Sequence, residues 1–267
     1  MKEKITNMIH RFVKDYEEKA DISTKWGEPL VGFADANHPD LLNLKELITP
    51  THGLPTDVLS DASIVIAYFV PFTKELAATN GISRDIASAE WALAYEETNA
   101  MFGKLNEYII EELKKIGYRA GVSPEATTFD QKILKSNWSH RHFARVAGMG
   151  TFGVNNMLIN KIGCCGRYST IVTNLDAQPD EPLPGEYCLY KKNGSCGVCV
   201  KRCPAGALTL DGYDRHKCYT VLRKNAELYT EFGSSYADES GEQANSVGSE
   251  VCGKCVVNMP CSFFRKS

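Results

Sequence analysis

The placement of cysteine constrains this chain more than any other feature. All ten cysteines lie in the later part of the 267 residues: none precedes Cys164, and eight fall between Cys188 and Cys261. The first residues, Met1-Lys2-Glu3-Lys4-Ile5-Thr6-Asn7, contain no apolar stretch of signal-peptide length, so the expected location is cytoplasmic. Thiols stay reduced there, which sets disulfides aside. Cysteines grouped in such a chain serve instead as metal ligands or catalytic groups. The longest apolar run, Ile64 to Phe72, falls far short of the roughly 20 residues a spanning helix needs, so no membrane partner is expected. A composition of 43% hydrophobic and 24% charged residues, with net charge −3, allows a core of ordinary size.

The strongest spacing is Cys196-Gly197-Val198-Cys199-Val200-Lys201-Arg202-Cys203-Pro204. A bacterial ferredoxin run has the form C-x2-C-x2-C-x3-C-P, and its fourth cysteine binds the other cluster. Here the last three cysteines and the proline are in register, and the first is displaced to Cys188. Such tight loops let successive thiolates reach different irons of one cube. A second group comprises Cys218 and then Cys252-Gly253-Lys254-Cys255-Val256-Val257-Asn258-Met259-Pro260-Cys261. Met259 stands where the cysteine before proline belongs, and a thioether replaces a thiolate poorly, so Cys261 is expected as the displaced fourth ligand. The crossover rule then assigns Cys188, Cys196, Cys199 and Cys261 to one 4Fe–4S cluster, and Cys203, Cys218, Cys252 and Cys255 to the other. Zinc is the competing use of two C-x2-C pairs, but eight cysteines with an x3-C-P ending fit clusters better.

Ahead of this module, helix-like and strand-like segments alternate. Residues 5–16 carry apolar side chains at helical spacing, residues 38–48 read as a second helix, and 84–116 as a long one stopped by Gly117. Strands are expected at 30–34, at 118–122, at 167–175, and at 64–70, the last a β-branched and aromatic run suited to a centre buried on both faces. A short helix at 139–146 leads into a glycine-punctuated loop at 148–153. The expectation is an α/β domain over 1–180, a proline-rich linker at 176–185, and a ferredoxin-like module over 181–267. Residues 233–250, polar and rich in serine and glycine, read as an exposed insertion between cluster ligands.

The stretch from Arg141 through Ala147-Gly148-Met149-Gly150-Thr151-Phe152-Gly153-Val154-Asn155-Asn156 to Ile159 resembles the epoxyqueuosine reductase family, as does Tyr168-Ser169-Thr170-Ile171-Val172-Thr173-Asn174-Leu175-Asp176 after it. That family carries an A-G-L-G-W-x-G-K-N-like loop in a cobalamin-binding domain upstream of a two-cluster module. Reductive dehalogenases are similar in layout. The resemblance implies an α+β chain with a nitroreductase-like cobalamin-binding domain followed by a ferredoxin-like domain. It implies an oxidoreductase whose clusters deliver electrons to a corrinoid acting on a small or nucleotide substrate. The alternatives are a ferredoxin-like electron carrier serving a partner enzyme and a flavin-dependent reductase. The corrinoid contacts so implied are Gly148, Gly150 and Gly153, which remove side chains from a close approach, and Asn155 and Asn156, which offer amides.

Two departures from the family are visible. Val154 replaces its lysine, and Lys135-Ser136-Asn137-Trp138-Ser139-His140-Arg141 occupies the region of its D-x-x-P-x-x-E-R segment. They point to a relative with a substrate other than epoxyqueuosine, or to one that only reduces a corrinoid. A reductase needs a proton donor, and the candidates are His140, Tyr168 and Asp130, with His142 beside them. Arg141 and Arg145 could hold an anion. Cys164 and Cys165 read as buried, inert thiols. The segment 186–224 is locally basic, suited to an electron-donor protein of ferredoxin or flavodoxin type; RNA is not favoured, because the whole chain is mildly acidic.

Overall fold

The computed structural model describes residues 1–130, 132–235 and 248–264. Ile5, Ile9, Val13 and Tyr16, spaced three or four apart, form the buried stripe of helix α1 (Lys2–Glu17). Strand β1 (Leu30–Asp35) follows. The helix expected over 38–48 is two single turns, α2 (Pro39–Leu42) and α3 (Leu44–Leu47), because Asn43 ends the first and begins the second. After a further turn, α4 (Pro55–Val58), the apolar run forms β2 (Ile64–Pro71), with all eight residues buried. Helix α5 (Lys74–Ile82) leads to α6 (Ala89–Lys115), whose first turn is capped by the Ser88 hydroxyl accepting the Trp91 N–H. Gly117, at φ +89°, reverses the chain beyond it.

The middle of the chain is built from short elements. They are β3 (Ala120–Gly121), a 3-10 turn at Pro124–Thr127, the hairpin β4 (Phe129–Asp130) and β5 (Lys135–Ser136), and helix α7 (His140–Val146). The expected glycine loop contains a strand, β6 (Gly150–Phe152), paired with β7 (Leu158–Asn160). Strand β8 (Gly166–Thr173) closes this part. The cysteine-rich part adds α8 (Leu189–Asn193), α9 (Val198–Arg202), α10 (Arg215–Leu228) and a 3-10 turn at Thr230–Phe232.

The main sheet has the order β1-β2-β8-β3, with every neighbouring pair antiparallel. Alternation along β2 explains why an uninterrupted apolar run is needed in it. Ile64, Ile66, Tyr68 and Val70 face a core shared with α1 and α6, whereas Val65, Ala67 and Phe69 face one shared with α7, α2 and α3. Helices thus cover both faces, giving a layered mixed α/β architecture.

The segment at 176–185 is laid along β1 rather than left free. The Asp180 N–H donates to the Phe33 carbonyl at 2.7 Å, its carboxylate accepts the Phe33 N–H at 2.9 Å, and Lys2 pairs with the same carboxylate. Val251, Val256 and Val257 pack into the core of α1 and α6, and a small satellite cluster forms from Cys199, Leu208 and Met259. The cysteine-rich part is therefore fastened to the sheet by shared apolar burial. Of the insertion expected at 233–250, residues 236–247 lie outside the described residues. Its two described ends meet on Glu96, which accepts from the hydroxyls of Ser235 and Ser249.

Candidate metal centre

Helix α9 is short because the chain must bend around its own cysteines. Cys196 precedes it, Cys199 lies inside it, and Cys203 ends it in extended conformation before Pro204. Cys188 stands at the start of α8. From the far end of the chain, Met259, Pro260 and Cys261 come back against this turn. The result is a pocket lined by Cys188, Cys196, Cys199 and Cys261, closed by Val154, Ile159, Leu189 and Met259. Burial raises the Cys199 thiol to about 11, and the thiols of Cys261, Cys188 and Cys196 add to that rise.

The other four cysteines also gather. Burial lifts Cys255 well above the ordinary thiol range, and Cys252, Cys218 and Cys203 are close enough to push it further. Cys252 is raised to about 11, first by burial, with Cys218 and Cys203 contributing. Cys218 lies on α10 beside the Tyr213 phenol. Cys203 accepts the Ala207 N–H at 3.2 Å. Cys199 also contributes to the rise of Cys255 and packs in one apolar cluster with Cys203, Cys255 and Cys261, so the cysteines of the two expected sets adjoin one another.

The surroundings suit an inorganic cluster. The thiols of Cys199, Cys252 and Cys255, each pushed up by burial, stay protonated unless a bound cation stabilises the thiolates. Among the described residues no three His, Cys, Asp or Glu side chains converge as tightly as a single ion requires; the first set instead rings a void. Arg202, in the turn between Cys199 and Cys203, has a buried Nε without a hydrogen-bond partner, a donor that an anionic group there would satisfy. Lys254, between Cys252 and Cys255, is fully buried and donates to the Asn80 carbonyl at 2.7 Å and to its Oδ1 at 2.9 Å. Asn80 in turn donates to the Cys252 carbonyl at 2.9 Å.

The glycine loop is fitted to the protein's own atoms. A Cβ on Gly150 would lie 2.2 Å from the Ile159 carbonyl, and one on Gly153 2.6 Å from Asn155 Oδ1; Gly148, at φ +66°, abuts the Glu181 carbonyl. The Asn155 amide donates to the Cys255 carbonyl at 3.0 Å and approaches Cys164 Sγ at 3.8 Å, while its Oδ1 accepts the Met157 N–H. Asn156 takes a left-handed φ of +59°, and its carbonyl accepts from Arg141. These residues tie the loop to β7, to α7 and to the cysteine module.

His140 and Tyr168 lie in the same region, on α7 and β8. His140 Nδ1 is 2.9 Å from the Thr170 hydroxyl, which also accepts the Trp138 indole N–H. Burial, then the charges of Arg167 and Arg141, hold His140 down to about 3, so its imidazole is neutral. Burial first, then the charge of Arg141, brings His142 to about 4. Burial pushes the Tyr168 phenol up; it accepts from Asn160 Nδ2 at 2.8 Å and donates to the Leu158 carbonyl at 3.3 Å. Asp130 is placed differently: its carboxylate accepts the N–H groups of Lys132 and Ile133 and shapes the β4–β5 turn. Arg145 is engaged with Asp40 at 2.8 Å.

Three features have no local signature. Lys254 and Asn80 meet across 174 positions. His52 is buried between Trp138 and Phe143 and accepts the Ser139 N–H at 2.9 Å, at the start of α7. Cys164 touches Cys261, with the sulfurs 3.9 Å apart. Cys165, its neighbour, is a buried thiol raised to about 12 by desolvation alone.

No family model matches the sequence. Epoxyqueuosine reductase of Bacillus anthracis is 27% identical over 206 residues, 74% of this chain and 48% of that protein. The enzyme of Leadbetterella byssophila is 26% identical over 165 residues, 60% of this chain and 51% of that protein. The chain thus spans about half the length of these curated relatives. Among solved structures, an epoxyqueuosine reductase with an epoxyqueuosine-modified tRNA stem loop superposes on 99% of this chain and 68% of its own, with a TM-score of 0.58 and 19% identity. The Bacillus subtilis enzyme covers 98% of this chain and 68% of its own, with a TM-score of 0.55 and 17% identity. In sequence and in fold, this chain resembles the epoxyqueuosine reductases.

Proposed function

We propose that the chain is an iron–sulfur reductase of the epoxyqueuosine reductase type, with an α/β catalytic part over 1–180 and a two-cluster ferredoxin-like part over 181–267. The observation that supports this reading is the convergence of Cys188, Cys196, Cys199 and Cys261 on one pocket, in a chain that resembles the epoxyqueuosine reductases in sequence and in fold. Bound at the two sets, 4Fe–4S clusters would supply single electrons. The chain's own contribution is to hold the thiolates in apolar surroundings, to offer the orphaned Arg202 N–H, and to keep the two sets adjacent. Adjacency follows from Cys199 and Cys203 sharing one turn of helix.

Tyr168 and His140 are the candidate proton donors that lie together in this part of the fold. Tyr168 keeps its proton and is oriented by Asn160, whereas His140 is a neutral imidazole held by Thr170. A corrinoid of the kind the resemblance implies would meet the glycine loop through its backbone and not on the faces where side chains would stand. The space beside Gly148, Gly150 and Gly153 is filled by protein, and the Asn155 amide is spent on Cys255. The substrate class is a small oxidised molecule or nucleotide. RNA enters through the relative solved with a tRNA stem loop, and it is tested alongside.

The experiment is anaerobic reconstitution followed by iron and sulfide analysis and a stepwise reductive titration. About eight irons and eight sulfides per chain, with a visible absorption that bleaches on reduction, is the expected result. A folded chain that takes up no iron overturns the proposal. Cobalamin, flavin, nucleotides and a tRNA stem loop are then added in turn, and reoxidation of the reduced protein identifies the acceptor.

A further inference from the structure

We propose that Cys164 is a ninth ligand-competent thiol, interchangeable with Cys261 at the fourth position of the first set. This rests on the cluster reading above and goes beyond it, since eight cysteines already complete the two sets and Cys164 reads in the sequence as an inert buried thiol.

The geometry is specific. The Cys164 N–H donates to the Cys261 carbonyl at 2.9 Å, and the Cys165 N–H donates to the Ser262 carbonyl at 3.2 Å. The bend at Cys164 and the turn at Cys261, almost a hundred residues apart, are thereby locked side by side. Gly163, at φ +120°, permits this approach: a Cβ there would lie 2.2 Å from the Ser262 carbonyl. The two sulfurs stand 3.9 Å apart, and Asn155 Nδ2 lies 3.8 Å from Cys164 Sγ. Cys261 lines the pocket with Cys188, Cys196 and Cys199. Met259, at the position where spacing would put the fourth ligand, offers only a thioether and packs against Cys199 and Leu208. Cys164 does not itself line the pocket, but its thiol lies directly behind the Cys261 position, within reach of it.

The exchange balances without a redox step. Cys164 gives up its thiol proton and takes the iron, Cys261 leaves the iron and takes the proton, and no electron is gained or lost. A sulfur displacement of no more than the 3.9 Å separation brings the second thiol into place. The consequence is structural as well as chemical. Cys164 lies two residues ahead of the strand that bears Tyr168, so coordination through it would fasten the first cluster directly to the α/β part.

The test uses the full chain, reconstituted anaerobically, as wild type and as Cys164→Ala, Cys261→Ala, the double variant and a Cys165→Ala control. Iron and sulfide are counted, folding is followed by far-ultraviolet circular dichroism, and the cluster signals are recorded by electron paramagnetic resonance. The two single variants and the control should keep about eight irons, and the double variant should fall to about four. The resonance of the first cluster should differ between the two single variants, because its fourth ligand differs. A folded Cys261→Ala chain that already falls to about four irons overturns the inference, and so does a double variant that keeps about eight. Cys261→Val is read in the same way if the alanine variant does not fold. Wild-type chain without iron overturns the underlying cluster reading, a failure recognised before any substitution is made.

Discussion

Gly253 lies between two proposed ligands, Cys252 and Cys255, and an alanine there should be costly for two separable reasons. Its φ of +70° is left-handed, which costs an L-residue about 1–2 kcal/mol. The added methyl would also meet the Trp91 indole, 2.4 Å from Cζ2 and 2.5 Å from Cε2 and Nε1. Trp91 is 3% exposed and packs edge-on against Phe72 with ring centroids 4.9 Å apart, so the ring can retreat only by disturbing the core. Overpacking of that kind costs about 1–3 kcal/mol. The sum is about 2–5 kcal/mol, a large part of the roughly 5–15 kcal/mol that holds an ordinary domain together. Gly103 provides a control of opposite sign. It lies inside α6, exposed, and a methyl added to it would meet nothing within 4 Å, so Gly103→Ala should stabilise by about 0.5–1 kcal/mol. Equilibrium urea unfolding of both variants measures the two effects. A Gly253→Ala chain within about 1 kcal/mol of wild type would refute the packing argument by the same scale.

Acid should destabilise the chain through its buried histidines. The folded values of His140 and His142, about 3 and about 4, lie below the unfolded 6.5. Their stabilising contribution is complete above pH 6.5 and is lost as pH falls toward those values, by roughly 2 kcal/mol each at pH 5; urea midpoints from about pH 8 to pH 5 should drop, and less so in His140→Gln. Asn155→Ala should cost about 1–3 kcal/mol, because it leaves the part-buried Cys255 carbonyl without its donor, and a melting curve reads it. Lys254→Met should lower the reduction potential of the cluster on Cys203, Cys218, Cys252 and Cys255 by removing a buried cation beside it; an unchanged potential would show that the ammonium serves Asn80 alone. Tyr168→Phe should slow substrate reduction while leaving the iron content at the wild-type level, as an assay of both on one preparation will show.

Periodicity makes the large elements legible. Helices α1 and α6 announce themselves by apolar spacing, and β2 by a run of β-branched and aromatic residues that only a strand covered on both faces can bury. The same run says nothing about strand direction, and the sheet is antiparallel throughout. The two-residue β3, and the pair β6–β7 inside a glycine-marked loop, are beyond pattern reading, because so few residues carry no period. The glycines there do mark a close approach, but what approaches Gly150 is the Ile159 carbonyl. The convergence of Cys188, Cys196 and Cys199 is readable because ligand spacing is local chemistry. The contact of Cys164 with Cys261 is not, since it joins residues 97 positions apart through the way β8 enters the sheet.

The central claim is that two separate sets of four thiols each hold a cluster, and paired ligand variants test it most directly. Cys199→Ala removes a member of the first set and Cys255→Ala a member of the second. Each reconstituted variant should keep about half of the roughly eight irons of wild type, and each should lose a different resonance on reduction. Full iron in either variant, or the same resonance lost from both, would contradict the account.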